Sequence, residues 1–172
     1  MERPLTDSVP VDPLWFRRVL GHYPTGVCVV AAMQPDGTAA GLAVGSFTSV
    51  SLDPPLVLFC PDKGSTSWPK IREVGQFCIN ILAHDQQDVC QRFASKGGNK
   101  FAGLEYRLSK YRTPILSNVL AWIDCALHTV HEAGDHFIVL GFVRELGVVR
   151  AEHPLVFLTG SYGRFAPLND AA

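Results

Sequence analysis

Residues 119–149 read VLAWIDCALHTVHEAGDHFIVLGFVRELGVV. Two long runs rich in Val, Ile, Leu and aromatic residues flank the pair Gly134-Asp135, which is a two-residue turn signal between strands. The stretch therefore predicts a long β-hairpin that begins at Val119 and ends near Val149. Because a hairpin pairs its strands in opposite directions, we expect the main sheet to be antiparallel.

Shorter apolar runs on both sides of this hairpin predict additional strands. These strands cover residues 25–34, 39–45, 56–60, 77–82 and 155–159. The turn Pro35-Asp36-Gly37 joins the first two of them as a second hairpin.

The helices are expected to be short. Asp12 caps the first helix, and either Ser67 or Thr66 caps the second. Asp85 caps a third helix, after which residues 95–118 are irregular. Strands outnumber helices, and the sequence has neither a β-helix-β alternation nor a Gly-x-Gly-x-x-Gly turn. The expected fold class is therefore mostly β, an antiparallel barrel or sandwich with short α caps.

The composition limits the possible functions. The chain has 172 residues, of which 47% are hydrophobic and 18% are charged, and its formal net charge is −1. The charged share is below the roughly 25% of average soluble domains, and so apolar a chain is not disordered. A net charge near zero argues against a nucleic-acid-binding protein, which needs a basic surface to neutralise phosphates. Either the core is unusually large or a partner covers part of the apolar surface.

The sequence also favours a cytoplasmic protein without contact to a membrane. The first residues lack the apolar core of a secretory signal, and the longest apolar run, Val27–Met33, is far below the roughly 18 residues of a membrane helix. The five cysteines are scattered without a Cys-x-x-Cys pair, which favours reduced thiols over a metal cluster. We expect one domain over residues 12–168, between a flexible arm (1–11) and a flexible tail (169–172).

Three polar segments are candidates for ligand binding. Residues 46–52, SFTSVSL, align four hydroxyls before Pro54-Pro55 and either bind a neutral heteroaromatic or polyol ligand or form the wet face of a strand. Residues 63–69, KGSTSWP, either bind an anion or simply cap a helix. Residues 92–101, RFASKGGNKF, either contact a phosphate and a ring system or form a solvated loop.

Three histidines lie around the long hairpin. His128 and His131 have an odd spacing, which directs them to opposite faces of a strand and argues against a shared metal. His136 begins the second strand, where its side chain either leans over a pocket or lies on the surface of the turn. The sequence shows no Ser-His-Asp order, no His-Glu-x-x-His motif and no carboxylate pair. It therefore indicates no catalytic residues for a hydrolase.

Taken together, these segments resemble the short-chain flavin reductases that serve two-component flavin-dependent monooxygenases. Order and spacing agree from about residue 15 to 166, in the stretches FRRVL (16–20), TGV (25–27), SFTSVSLDPPLV (46–57), FCINIL (77–82), RFA (92–94), KF (100–101), GDH (134–136) and PLVF (154–157). The resemblance implies a flavin reductase-like split β-barrel. It also implies a homodimer that holds the flavin near the subunit interface.

The resemblance further implies roles for individual residues. His136 is implied to lie where the nicotinamide docks. The implied cofactor-binding residues carry hydroxyl, aromatic or basic groups, with Tyr162 near the same face as His136: Ser46, Thr48, Ser49, Ser51, Ser65, Thr66, Ser67, Arg92, Phe93, Lys100 and Tyr162. The chain departs from the family pattern at Ala43 and Gly45, where such proteins often carry Thr and Asn. Two polar contacts to the flavin are therefore expected to be missing.

The activity implied by the resemblance is hydride transfer from NADH or NADPH to FMN or FAD, with the reduced flavin released to a partner monooxygenase. Such a reaction needs no protein nucleophile, because the cofactors carry the chemistry. Two other functions are compatible with the same pocket. One is that of a pyridoxamine-phosphate-oxidase-like flavoprotein, and the other is that of a non-enzymatic carrier of flavin or a small ligand.

Overall fold

The computed structural model describes residues 11–168. The predicted tail and all but Val11 of the predicted arm lie outside these residues. The described elements follow in the order α1 (Pro13–Leu20), β1 (Thr25–Gly26), β2 (Cys28–Met33), β3 (Ala39–Val44), β4 (Thr48–Leu52), β5 (Pro55–Phe59), α2 (Trp68–Val74), β6 (Gln76–Ile81), α3 (Gln87–Ala94), β7 (Tyr106–Leu108), β8 (Pro114–Leu116), β9 (Ala121–Ala133), β10 (His136–Val148), β11 (Leu155–Leu158) and β12 (Ser161–Arg164). Among the described residues, no helix is both long enough and apolar enough to span a membrane.

A seven-stranded antiparallel sheet forms the body of the fold, in the order β3-β2-β6-β9-β10-β5-β4. Laid flat, its six strand spacings would separate the edge strands β3 and β4 by roughly 29 Å. Only residues 45–47 connect these two edges, and extended chain from Val44 to Thr48 spans at most about 14 Å. The sheet must therefore curl on itself, which gives a barrel that is split between β3 and β4.

The predicted long hairpin is confirmed as β9 and β10, which pair from His136 opposite Ala133 to Val148 opposite Ala121. The register shifts between Leu140 and Gly141 and again between Val143 and Glu145. Such irregularities bend a strand and increase its twist, so they help the long hairpin follow the curvature of the barrel.

Strand β2 is buried on both faces and separates two hydrophobic clusters. Cys28 and Val30 point into the barrel, which α2 fills with Trp68. Val29 points to the outside, where α3 packs against it with residues that include Phe93. This double burial explains the nearly continuous apolar sequence from which the strand was predicted.

A buried ion pair ties the chain before β8 to the long hairpin. Arg144 on β10 donates from Nε to Oδ1 of the fully buried Asp124 on β9, at 2.9 Å. The other carboxylate oxygen accepts hydrogen bonds from the hydroxyls of Ser109 and Thr113. A buried carboxylate is stable only with such full pairing, so this network fixes a segment that the sequence left irregular.

The structure confirms the first helix and corrects details elsewhere. The Asp12 side chain accepts from the Leu14 N–H and caps α1 as predicted. The predicted cap of α3 by Asp85 is wrong, because that carboxylate pairs with Arg150 and Gln86 occupies the cap position.

The predicted strand over 25–34 is divided into β1 and β2, since β1 leaves the barrel to pair with β11. Strands β7, β8 and β12 were not predicted.

The close packing of β10 against β6 leads to a prediction. A Cβ atom at Gly141 would lie 2.8 Å from the Phe77 ring and 3.1 Å from Cys125 Cβ, whereas at Gly163 on β12 it would meet nothing within 4 Å. We expect Gly141→Ala to lower the free energy of unfolding by about 1–3 kcal/mol, because overpacking a rigid core forces strain. Urea denaturation checks this, with Gly163→Ala as the matched control. Equal stability of the two variants would contradict the packing described.

Candidate functional site

A cleft of about 480 Å³ opens at the split of the barrel, a volume within the range of small-ligand sites. One wall is the end of β3 with the connection that follows it, and the opposite wall is the chain after β5. The C-terminal end of α3 and His136 complete the rim. The lining residues are Leu42, Ala43, Val44, Gly45, Ser46, Cys60, Pro61, Asp62, Gly64, Ser65, Thr66, Phe93, Ala94, Ser95, Lys96, Lys100 and His136.

Ser46 joins the two walls of the cleft. Its hydroxyl oxygen accepts a hydrogen bond from the Cys60 N–H at 2.8 Å and donates to the Cys60 carbonyl at 3.3 Å. Ser46 lies in the short connection between the edge strands, so this pair of bonds holds the split at a fixed width.

The two departures from the family pattern both line the cleft. A Cβ atom at Gly45 would lie 2.9 Å from Thr25 Oγ1, so the Thr25 hydroxyl occupies the space that a side chain at this position would need. Ala43 presents only a methyl group. At these two positions the wall of the cleft therefore presents backbone and small apolar groups. The two polar side chains that the family often carries there are missing, as expected.

The loop before α2 is held by its own side chains. Asp62 accepts the Gly64 N–H at its carboxylate, and its carbonyl accepts the Ser65 N–H at 3.0 Å. Ser65 Oγ in turn accepts from the N–H groups of Ser67 (3.3 Å) and Trp68 (3.2 Å). Ser67 therefore occupies the N-cap position of α2, as predicted, but its side chain makes no capping hydrogen bond, and Ser65 Oγ accepts the Trp68 N–H instead.

Positive charge gathers at one end of the cleft. Lys96 is exposed on its rim. Lys100 is half-buried, and its ammonium donates to the carbonyls of Phe93 (3.0 Å) and Gly41 (3.3 Å) and to Ser67 Oγ (3.4 Å). Burial lowers the pKa of Lys100 below its usual range. All three acceptors are neutral, and Asp62 is the one carboxylate among the described residues that line the cleft.

His136 also lines the cleft, where the hairpin meets the chain after β5. Its Nδ1 is 2.8 Å from an Asp135 carboxylate oxygen. This hydrogen bond lowers the pKa of Asp135. Because an ionised carboxylate only accepts, Nδ1 carries the hydrogen, and Nε2 of the neutral ring is left as an acceptor. Backbone bonds from Lys63 N to Asp135 O and from Phe137 N to Pro61 O fix this corner.

The structure brings about half of the sequence-predicted site residues together. Six of them line this cleft: Ser46, Ser65, Thr66, Phe93, Lys100 and His136. Ser67 lies behind it and contacts Lys100. Thr48, Ser49 and Ser51 lie on the edge strand β4.

The two remaining predicted residues point elsewhere in the single chain. Arg92 donates to the Ala102 carbonyl at 2.7 Å. Tyr162 shares a hydrogen bond with Cys90 at 3.3 Å, outside the lining of the cleft. Their roles toward a ligand stay predictions.

Several lining residues were missed by sequence reasoning, among them Cys60, Pro61 and Asp62. Cys60 follows an apolar strand, and the structure leaves it half-buried. No local sequence pattern identifies these residues, because they reach the cleft only when the edge strands meet.

The cleft favours binding over acid–base catalysis. In residues 11–168 no group of three or more His, Cys, Asp or Glu side chains could hold a metal ion. Outside the cleft, burial raises the pKa of Cys28 and of Cys78 to about 12, so both are inert thiols. The cleft combines hydroxyls and an apolar wall with cations at one end, which suits an uncharged ring system that carries an anionic group.

Comparisons with known proteins agree with this geometry. Residues 20–166 match the sequence profile of the flavin reductase like domain. The chain is 61% identical to a flavin reductase of Pseudomonas putida, over 92% of this chain and 93% of that protein. It is 46% identical to the reductase subunit HsaB of a flavin-dependent monooxygenase from Rhodococcus jostii, over 91% and 80% of the two chains.

A solved structure supports the same fold. The NADH:FAD oxidoreductase SgcE6 of Streptomyces globisporus, in complex with NAD and FAD fragments, superposes with a TM-score of 0.86 at 34% identity. The match covers 95% of this chain and all of that one. The predicted split-barrel architecture is thereby confirmed.

Proposed function

Because the chain belongs to the flavin reductase like family, we propose that it transfers hydride from NADH or NADPH to FMN or FAD and supplies the reduced flavin to a separate monooxygenase. The observation that carries this proposal is the cleft at the barrel split. Its lining combines hydroxyls and small apolar groups with two lysines and a histidine acceptor. When bound there, a flavin supplies the hydride acceptor and a reduced nicotinamide supplies the donor.

The protein residues hold and orient the ligands. Thr66 and the β3 backbone line the part of the cleft that suits a ring and its polyol chain, and Lys96 and Lys100 attract a phosphate. The small side chain of Ala43 leaves room for a ring to approach the β3 backbone. Hydride transfer requires reacting atoms within roughly 3–3.5 Å, so this positioning is the catalytic task of the protein.

His136 is suited to orient the nicotinamide. With Nδ1 fixed by Asp135, the free Nε2 can accept a hydrogen bond from a carboxamide N–H. Hydride transfer from a nicotinamide needs no proton from this ring, so the neutral form suffices.

The reductase activity is tested by mixing the protein with NADH or NADPH and free FMN or FAD and following the nicotinamide absorbance. We expect catalytic loss of the nicotinamide, dependent on added flavin. Flavin binding without turnover would instead support a carrier. Turnover only with an additional organic substrate would support an oxidase of the pyridoxamine-phosphate-oxidase type.

The role of His136 predicts a specific kinetic effect. His136→Ala should raise the KM for the nicotinamide about three- to tenfold, which corresponds to one lost hydrogen bond, and should change kcat by less. Steady-state kinetics at saturating flavin measure both constants. His131→Ala, at an exposed position on β9 outside the cleft, is the matched control. An unchanged KM in the His136 variant would exclude this role.

The exposed apolar surface supports the proposed homodimer. No residue of α1 is buried, although the helix carries Trp15 and Phe16. Leu52 on the edge strand β4 is 95% exposed, and Leu146 and Val148 near the end of β10 are 65% and 81% exposed. Monomeric proteins rarely leave large apolar patches uncovered, which favours a second copy that covers β4. Such a copy would also enclose the hydroxyl residues of β4.

The five reduced cysteines favour the expected cytoplasmic location.

A dimer has a measurable mass. Sedimentation velocity at micromolar concentration should give twice the 18.8 kDa of one chain. Leu52→Lys should shift the protein toward monomer, because a charge on the edge strand opposes its burial. Leu168→Lys, at a residue 99% exposed beyond the last strand, should not. A wild-type monomer would refute the dimer.

A further inference from the structure

The structure contains a second, smaller cleft that is continuous with the first. It has a volume of about 180 Å³ and lies between the start of β3, the start of α2 and the chain after α3. Thr66 and Lys100 line both clefts, so the two cavities meet at these side chains. Five of its lining residues come from the segments 63–69 and 92–101, which the sequence indicates as candidates for binding an anion or a phosphate.

Among the described residues, all the charged side chains that line the second cleft are basic. Lys70 and Lys100 both line it, together with hydroxyl-bearing Ser67, and no carboxylate does so among the described residues. Asp36 attracts Lys70 only weakly, and its own carboxylate accepts from the N–H and the hydroxyl of Thr38. Neither lysine forms an ion pair within the described residues.

Lys100 is the critical group, because its ammonium lies where the clefts join. It is half-buried and contacts only neutral acceptors, two carbonyls and the hydroxyl of the buried Ser67. Taking a charge out of water is unfavourable unless an opposite charge compensates it. An anionic ligand group at this junction supplies that compensation, and Lys70 can then contact a second anionic group farther along.

The glycine pair that lines the second cleft leaves room for a chain of linked groups. Gly97 and Gly98 have φ angles of 76° and 73°, a backbone conformation that glycine adopts without strain. A Cβ atom at either position would meet nothing within 4 Å, so the outer end of the cleft is open to solvent. A ligand longer than the second cleft can therefore extend beyond it.

We infer that the second cleft is the subsite for the second phosphate of a flavin dinucleotide, so that the protein binds FAD more tightly than FMN. FMN carries one phosphate, which Lys100 can neutralise at the junction. FAD carries two linked phosphates and an adenosine, so its second phosphate reaches Lys70 and its adenosine projects past the glycine pair. This inference rests on the proposed function, because it places the flavin ring in the first cleft.

The test compares binding of riboflavin, FMN and FAD, which carry none, one and two phosphates. Flavin fluorescence quenching without nicotinamide gives each Kd for the wild type and for Lys70→Gln, Lys70→Arg and Lys110→Gln. Lys110 is the matched control, because this exposed lysine pairs with Glu145 and lines neither cleft.

We expect the wild type to bind FAD about five- to tenfold more tightly than FMN, the scale of one net hydrogen bond. Lys70→Gln should bring the two Kd values within about twofold by weakening FAD binding. Lys70→Arg should retain the preference, and Lys110→Gln should leave both Kd values as in the wild type.

Equal affinity of the wild type for FMN and FAD would overturn the inference, as would a preference that survives Lys70→Gln. NADH oxidation measured in parallel separates this outcome from failure of the proposed function. Turnover with equal affinities refutes only the subsite. The expected ratio without turnover supports the subsite and refutes the reductase.

Discussion

The structure depends on the three-residue connection between the two edges of its main sheet. Strands β3 and β4 lie at opposite ends of a seven-stranded order, yet residues 45–47 span the gap between them. A chain this short cannot cross a flat sheet of seven strands, so the sheet curls until its edges meet. The register shifts in the long hairpin and the close approach of β10 to Phe77 are consistent with this curvature.

The same constraint places the cleft. Because the edges approach without pairing, they leave a split whose walls are backbone and short side chains, held together by the two hydrogen bonds of Ser46 with Cys60. The hairpin turn brings His136 to the cleft, and the chain after α3 brings Lys96 and Lys100 to it. Each side chain comes from a different element, and closure of the barrel alone brings them together.

The electrostatics of the site follow from how little charge the chain carries. With a net charge of −1, the protein has no general attraction for anions, and positive charge matters only where it lacks a partner. Lys100 meets that condition through its neutral acceptors, whereas Arg144 is neutralised by Asp124 and Arg150 by Asp85. The two arginines therefore stabilise the fold through their ion pairs, whereas the ammonium of Lys100 remains available to an anionic ligand.

Sequence patterns were sufficient for elements whose signals are local. Gly134-Asp135 gave the hairpin, Asp12-Pro13 gave the start of α1, and the apolar run around Val29 gave a strand buried on both faces. The cap assigned to Asp85 was wrong, because a distant arginine competes for its carboxylate. The small strands β7, β8 and β12 escaped prediction, since three- and four-residue strands depend on partners more than on their own composition.

The sequence by itself therefore determined the antiparallel β character, the principal strands and the family, because these are set by periodicity, turn chemistry and ordered motifs. It also indicated most of the polar segments that contribute to the cleft. Only the tertiary structure decided that Asp62 and Cys60 line the cleft and that Lys100 lines two cavities. The physical reason is that the residues around each cavity are far apart in the chain, and closure of the barrel brings them together.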